Sequence, residues 1–106
     1  MLLSGCGHAG IVNTVEHARK IVRPAPLFAA IGGFHLFPAD EKTLVWTAQQ
    51  LSRVGVTWLL GAHCTGIEAV YRLRDLVHLD RRHAVIGAVG ASFDLRSGID
   101  PLDLAR

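Results

Sequence analysis

Three short segments of this 106-residue chain set glycine and a histidine where an apolar run meets a polar stretch. They are Gly5-Cys6-Gly7-His8, Gly32-Gly33-Phe34-His35 and Gly61-Ala62-His63-Cys64. Neutral imidazole is the commonest protein ligand for zinc and similar metals. Each histidine stands near the start of a helix-like pattern, and strand-to-helix turns of an open α/β layer share the sheet edge where ligands bind. His8, His63 and His35 are therefore candidate ligands of part of a metal site, with no further cluster in the chain to complete it. The competing readings are ordinary ones. His8 would be a polar loop residue, His63 a core histidine satisfied by a backbone carbonyl, and His35 a substrate contact or a loop-packing residue. His17 falls within a helical pattern, and His78 and His83 flank Leu79-Asp80-Arg81-Arg82, so these three read as surface residues.

Cys64 invites a nucleophile hypothesis, because a thiol at a helix N-terminus has a lowered pKa. A phosphatase-type His-Cys-x5-Arg loop fails in register, since the arginine position is occupied by Val70. Cys6 and Cys64 could join His8 and His63 in a structural zinc site, as Cys2His2 sets are common. Adjacent strand residues point to opposite faces, however, so one metal taking both His63 and Cys64 requires an irregular turn. The expectation is that one or both thiols are small buried packing residues. Gly5, Gly7 and Gly10 spell Gly-x-Gly-x-x-Gly, yet residues 24–33 hold no acidic residue of the kind a dinucleotide fold requires. Binding of a substrate phosphate at this turn stays open, because free N–H groups at a helix start attract anions. Trp46 and Trp58 read as packing residues.

Composition narrows the setting. Half of the residues are hydrophobic, enough for one domain with a core. A net charge of +2 with interspersed signs argues against nucleic acid as a partner. No apolar run is long enough to cross a bilayer, and Leu3-Ser4-Gly5-Cys6 lacks the charged and apolar regions of a signal peptide. Two cysteines do not make a disulfide scaffold, so a cytoplasmic location is expected and no membrane partner.

The elements that position these residues alternate. Leu2 and Leu3 read as the tail of a strand. Ile11, Val12, Val15, Ala18, Ile21 and Val22 have helical spacing, closed by Pro24 and Pro26. Leu27 to Ile31 is the next strand, and Asp40 caps a second helix carrying Leu44, Ala48 and Leu51 on one face. Val56 to Leu60 is a third strand. Thr65 and Glu68 then read as a capping box for a helix whose buried stripe is Ile67, Val70, Tyr71 and Leu76. Ala84 to Val89 is the last clear strand. Ala91 to Leu95 extends it or forms a short partner, and the tail after Ser97 reads as loop or a frayed turn. Repeated β-α units imply a mainly parallel sheet with right-handed crossovers.

Three motifs carry a resemblance: Gly5-Cys6-Gly7-His8-Ala9-Gly10-Ile11-Val12-Asn13, Ile31-Gly32-Gly33-Phe34-His35-Leu36 and His63-Cys64-Thr65-Gly66. Over roughly residues 1–95 the chain resembles the C-terminal half of a metallo-β-lactamase-fold branch that includes dihydropterin ribofuranosyl-aminobenzene-phosphate synthases. The resemblance implies an α/β fold in which β-α-β-α-β-α-β, with a mainly parallel sheet, is half of an αββα sandwich. That sandwich holds one or two metals between its sheets. On this basis residues 1–106 are the C-terminal portion of such a domain, without the N-terminal half that carries the first motif, His-x-His-x-Asp-His. His8 corresponds to the middle-motif histidine ligand, His63 to the last-motif histidine, and His35 falls near the position of a metal-bridging aspartate. The implied function is a fragment of a metal-dependent enzyme, a hydrolase or pterin-related phosphate synthase, inactive alone and using zinc or another divalent transition metal when complete. Its expected partners are the N-terminal half or a second copy, and a small-molecule substrate with phosphate among its candidate groups. Two alternatives stand beside this reading: a non-catalytic α/β interaction domain, and a small structural-zinc module built on Cys6 and Cys64. Half of a sandwich is also expected to expose a large apolar face.

Overall fold

A computed structural model describes residues 1–101. Four strands alternate with three helices: β1 (Leu2–Ser4), α1 (Ile11–Ile21), β2 (Ala29–Gly32), α2 (Glu41–Arg53), β3 (Trp58–Gly61), α3 (Ile67–Val77) and β4 (Ala84–Ile86). A single 3-10 turn, His63–Thr65, stands between β3 and α3, and β5 (Ser92–Asp94) and β6 (Gly98–Asp100) close the order. The four strands pair in sequence order, β1-β2-β3-β4, and every pairing is parallel. The expected β-α-β-α-β-α-β layer is therefore present. Parallel pairing puts all strand-to-helix turns on one edge of the sheet.

Strand alternation sorts the side chains. Leu2, Ala30, Leu59 and Ala84 form one row across the sheet and pack with Ile11, Val15, Leu44, Leu51 and Leu73 of the helices. All three helices thus cover the same face. The other face carries Ile31, Trp58, Leu60 and Val85, and its cover is the β5-β6 hairpin, which seats Phe93 and Ile99 there. At the β1 edge none of the described residues seals this face, and Leu3 is 68% exposed.

Each helix has its own start. Asp40 caps α2 as its sequence implies, accepting a hydrogen bond from the Thr43 N–H at 2.8 Å. Glu41 in the first turn of α2 accepts hydrogen bonds from two of the three guanidinium nitrogens of Arg72 in α3, Nε and Nη2. In contrast, α1 and α3 begin at Gly10 and Gly66 with no side-chain cap. Thr65 does not form the expected capping box. It is fully buried, and its hydroxyl accepts from the Phe34 N–H at 3.0 Å while donating to the Gly32 carbonyl at 3.3 Å.

Other expectations shift as well. The 3-10 turn rotates the start of α3, so that Ala69, Val70 and Leu73 are its buried residues while Ile67 and Tyr71 are largely exposed. Trp46 is half exposed rather than packed. The tail expected to be loop contributes β6, whose Gly98 lies flat against the Trp58 indole: an added Cβ there would sit 2.1 Å from the ring. Residues 102–106 of that tail lie outside the described residues.

Candidate metal centre

The site grows out of three consecutive turns at the C-terminal edge of the sheet. After β1, Gly5 to Gly10 forms a tight turn in which Gly10 N–H donates to the Gly7 carbonyl at 2.9 Å. This turn presents Cys6 and His8, both exposed. After β2, Gly32 and Gly33 let the chain pass against its neighbours. Gly32 has φ +125° and a Cβ there would fall 1.9 Å from the Ser4 carbonyl oxygen, so no other residue fits. The next turn presents His35, whose own φ is +50°.

After β3 the chain stays extended for one residue, Ala62, and then leaves strand geometry. Ala62 N–H donates to the Gly32 carbonyl at 2.8 Å, and the 3-10 turn His63–Thr65 follows with His63 at φ +25°. Positive φ at a non-glycine residue costs about 1–3 kcal/mol and clusters at functional sites. The consequence is direct. The alternation that would send His63 and Cys64 to opposite faces is broken, and both side chains lean over Gly33. A Cβ at Gly33 would meet His63 Cε1 at 2.6 Å and Cys64 Sγ at 2.9 Å.

Two groups of donors result. Ligand atoms of Cys6, His63 and Cys64 lie within 4.8 Å of one another, and theirs is the group of three metal-binding side chains found among the described residues. Cys64 Sγ donates to the Cys6 carbonyl at 3.0 Å, and both cysteines are free thiols. The expectation of small buried packing residues is corrected here: Cys6 is exposed and Cys64 partly so. The second group is the pair His8 and His35, with ring centroids 4.3 Å apart. His35 also meets the Phe37 ring edge-on at 5.4 Å, and its Nδ1 is buried without a hydrogen-bond partner. Such an orphaned nitrogen is uncommon in folded proteins and fits an absent ligand.

The three histidines singled out in the sequence thus stand on one rim, His8 beside His35 and His63 with the thiols. Imidazole and thiolate are the donors zinc prefers, so the residues present fit a metal of that kind. Beside His8 and His35 a cavity of about 220 Å³ opens, lined also by Asn13, Thr43 and Trp46. His17 and His78 are exposed and remote from the turns. His83 is likewise at the other end, bonded to Asp80 at 2.8 Å and stacked on Trp58 with centroids 4.1 Å apart. The sequence offers this thiol grouping only as an alternative that needs an irregular turn; the 3-10 turn His63–Thr65 is such a turn, and His8, which that alternative included, stands with His35 instead.

No protein-family model matches the chain. Among curated proteins it is 42% identical over 69 residues, 65% of its length, to a 7,8-dihydropterin-6-methyl-4-(beta-D-ribofuranosyl)-aminobenzene-5'-phosphate synthase of Methanocaldococcus jannaschii. It is also 32% identical over 76 residues to an uncharacterized protein of the same organism. The chain spans about a quarter of the length of these relatives, 24% and 28%. Among solved structures it superposes on a metal-dependent hydrolase of the beta-lactamase superfamily with a TM-score of 0.67 and 24% identity. That match covers 80% of this chain and 31% of the other. No helix among the described residues is long and apolar enough to cross a membrane. In sequence the chain resembles the dihydropterin ribofuranosyl-aminobenzene-phosphate synthase branch, and its α/β layer has the fold of part of a metallo-β-lactamase-superfamily protein.

Proposed function

We propose that this chain supplies one half of the catalytic centre of a metal-dependent metallo-β-lactamase-fold enzyme, a hydrolase or a pterin-related phosphate synthase. The observation that carries this reading is the placing of His8, His35 and His63 on a single rim, each at the turn that follows a parallel strand. His8 and His63 act as metal ligands, and His35 is the third candidate, with its unpartnered Nδ1 available. When bound, zinc or another divalent transition metal lowers the pKa of a water molecule or polarises a phosphoryl or carbonyl oxygen.

The chain's own residues do the rest of the positioning. The turn from Gly7 to Gly10 leads into α1, whose first N–H groups have no side-chain cap and suit a substrate phosphate. The cavity beside His8 and Trp46 offers a half-exposed indole on which a flat ring can rest, with Asn13 and Thr43 as polar contacts. A small, phosphorylated aromatic substrate matches this combination. The remaining ligands come from an N-terminal half bearing His-x-His-x-Asp-His, and that segment also supplies the aspartate that orients water.

The test is reconstitution. The chain alone is expected to show no hydrolysis of phosphate esters, and activity is expected to appear when a segment bearing that motif is supplied. His63→Ala should abolish the restored activity, whereas His78→Ala, at the far end of α3, should leave it nearly intact. Robust phosphodiesterase turnover by the purified chain alone would overturn the proposal.

A further inference from the structure

The geometry points to a second use of this rim: Cys6, His63 and Cys64 form a sulfur-rich site that binds one soft or borderline divalent cation, zinc above all, in this chain by itself. The inference goes beyond the proposed function and shares His63 alone with it. It rests on three observations. First, the ligand atoms of the three side chains already lie within 4.8 Å of one another. Two sulfurs on one tetrahedral zinc, at bonds of roughly 2.3 Å, stand about 3.8 Å apart, so closure needs a shift of about 1 Å at most. Second, the backbone is bent to make the group. His63 holds φ +25° in a 3-10 turn, and that turn lets consecutive residues converge. Third, the space beneath is kept open by Gly33, where a Cβ would strike both His63 Cε1 and Cys64 Sγ.

The chemistry follows from the donor set. In the metal-free chain Cys64 Sγ spends its proton on the Cys6 carbonyl. Binding forms two metal–sulfur bonds and one metal–nitrogen bond, and each thiol releases its proton to solvent. Two thiolates and one neutral imidazole cancel a divalent charge, so the loaded site is neutral. Three protein ligands leave one of four positions open, the composition of an exchangeable or catalytic zinc site. Thiolate ligands select against magnesium and calcium, which take oxygen.

Cobalt(II) is the probe, because thiolate ligation gives a near-ultraviolet charge-transfer band that nitrogen ligation does not. Titration of the reduced 106-residue chain with cobalt is expected to give this band with a one-to-one end point, bleached by added zinc. Cys6→Ser and Cys64→Ser should each weaken the band and the double variant should abolish it, while His8→Ala and His35→Ala should keep it. In the unsubstituted chain, zinc should also protect both cysteines from iodoacetamide, a readout that holds if a variant fails to fold. A chain that binds no cobalt, binds it without the band, or is alkylated at the same rate with and without zinc overturns the inference. Nitrogen-only binding lost in His8→Ala would do so while leaving the proposed function intact. The sulfur band in a chain that no complementing segment activates would support this site and sink the proposed function instead.

Discussion

At the scale of single residues, Thr65 shows how one buried hydroxyl holds two turns in place. It ties the Phe34 N–H, one residue before His35, to the turn that carries His63 and Cys64. Thr65→Val keeps the shape and removes the acceptor, leaving the Phe34 N–H unpaired in a fully buried position. The expected loss is about 1–3 kcal/mol, read from the urea midpoint, and Thr65→Ser should recover much of it by restoring the hydroxyl. Equal losses in the two variants would mean that the methyl matters and the hydrogen bond does not. Leu59, with no exposed surface at the centre of the helix-covered row, sets a comparison: Leu59→Ala should cost about 2–5 kcal/mol through the cavity it leaves. The sequence spelled Thr65 as a helix cap because Thr-x-x-Glu is a local pattern. Its actual partners lie more than thirty residues away in β2 and the turn after it, and no local pattern reports them.

At the scale of elements, legibility follows how local the stabilising contacts are. The three helices were readable because one sheet face absorbs most of their apolar stripes: burial and 3.6-residue spacing agree in α2 and in the first turns of α1, while Ile21 and Val22 at the end of the α1 stripe are exposed. Agreement fails in α3, where the preceding 3-10 turn resets the phase, and Ile67 and Tyr71 fall outside the stripe. The shared rim of His8, His35 and His63 was readable from turn position alone, whereas convergence of the two thiols depended on that same turn. Of the β5-β6 hairpin only the first strand, within Ala91 to Leu95, was readable; β6 and the pairing were not, since they are fixed by Gly98 against Trp58 and by Ile99 against Leu60 and Val85. Its own turn is tied by Asp94, whose carboxylate accepts from the Ser97 and Arg96 N–H groups at 3.0 and 2.8 Å. These bonds, Ser97 first, hold the Asp94 carboxyl below the usual aspartate range. A lowered folded pKa means a stabilising contribution fully present above the unfolded value and lost as pH falls through the folded one. The stability gap between the unsubstituted chain and Asp94→Asn should therefore be widest near neutrality and shrink in acid. A gap that is constant from neutral pH into strong acid would show that the carboxylate charge plays no part in holding the turn.

For the whole molecule the decisive asymmetry is between the two faces of the sheet. Three helices seal one face, and a two-stranded hairpin covers only part of the other. Leu3, on β1, projects from that second face with 68% of its surface exposed, and Ile31 beside it in register is only half-buried. Apolar area in water carries about 25 cal/mol per Å², and soluble monomers seldom leave more than a few hundred Å² of it contiguous. β1 is also an edge strand, so its outer N–H and C=O groups have no strand partner among the described residues, which favours pairing with another chain. The two features sit together on one border of the molecule. The purified chain is accordingly expected to self-associate at moderate concentration, with sedimentation velocity showing dimers or larger species whose share grows with loading. Leu3→Lys should shift the distribution toward monomer without lowering the melting temperature, because the residue contributes nothing to the helix-covered core. A monodisperse monomer at all concentrations, melting cooperatively, would mean that the hairpin cover suffices and that this face is not a docking border.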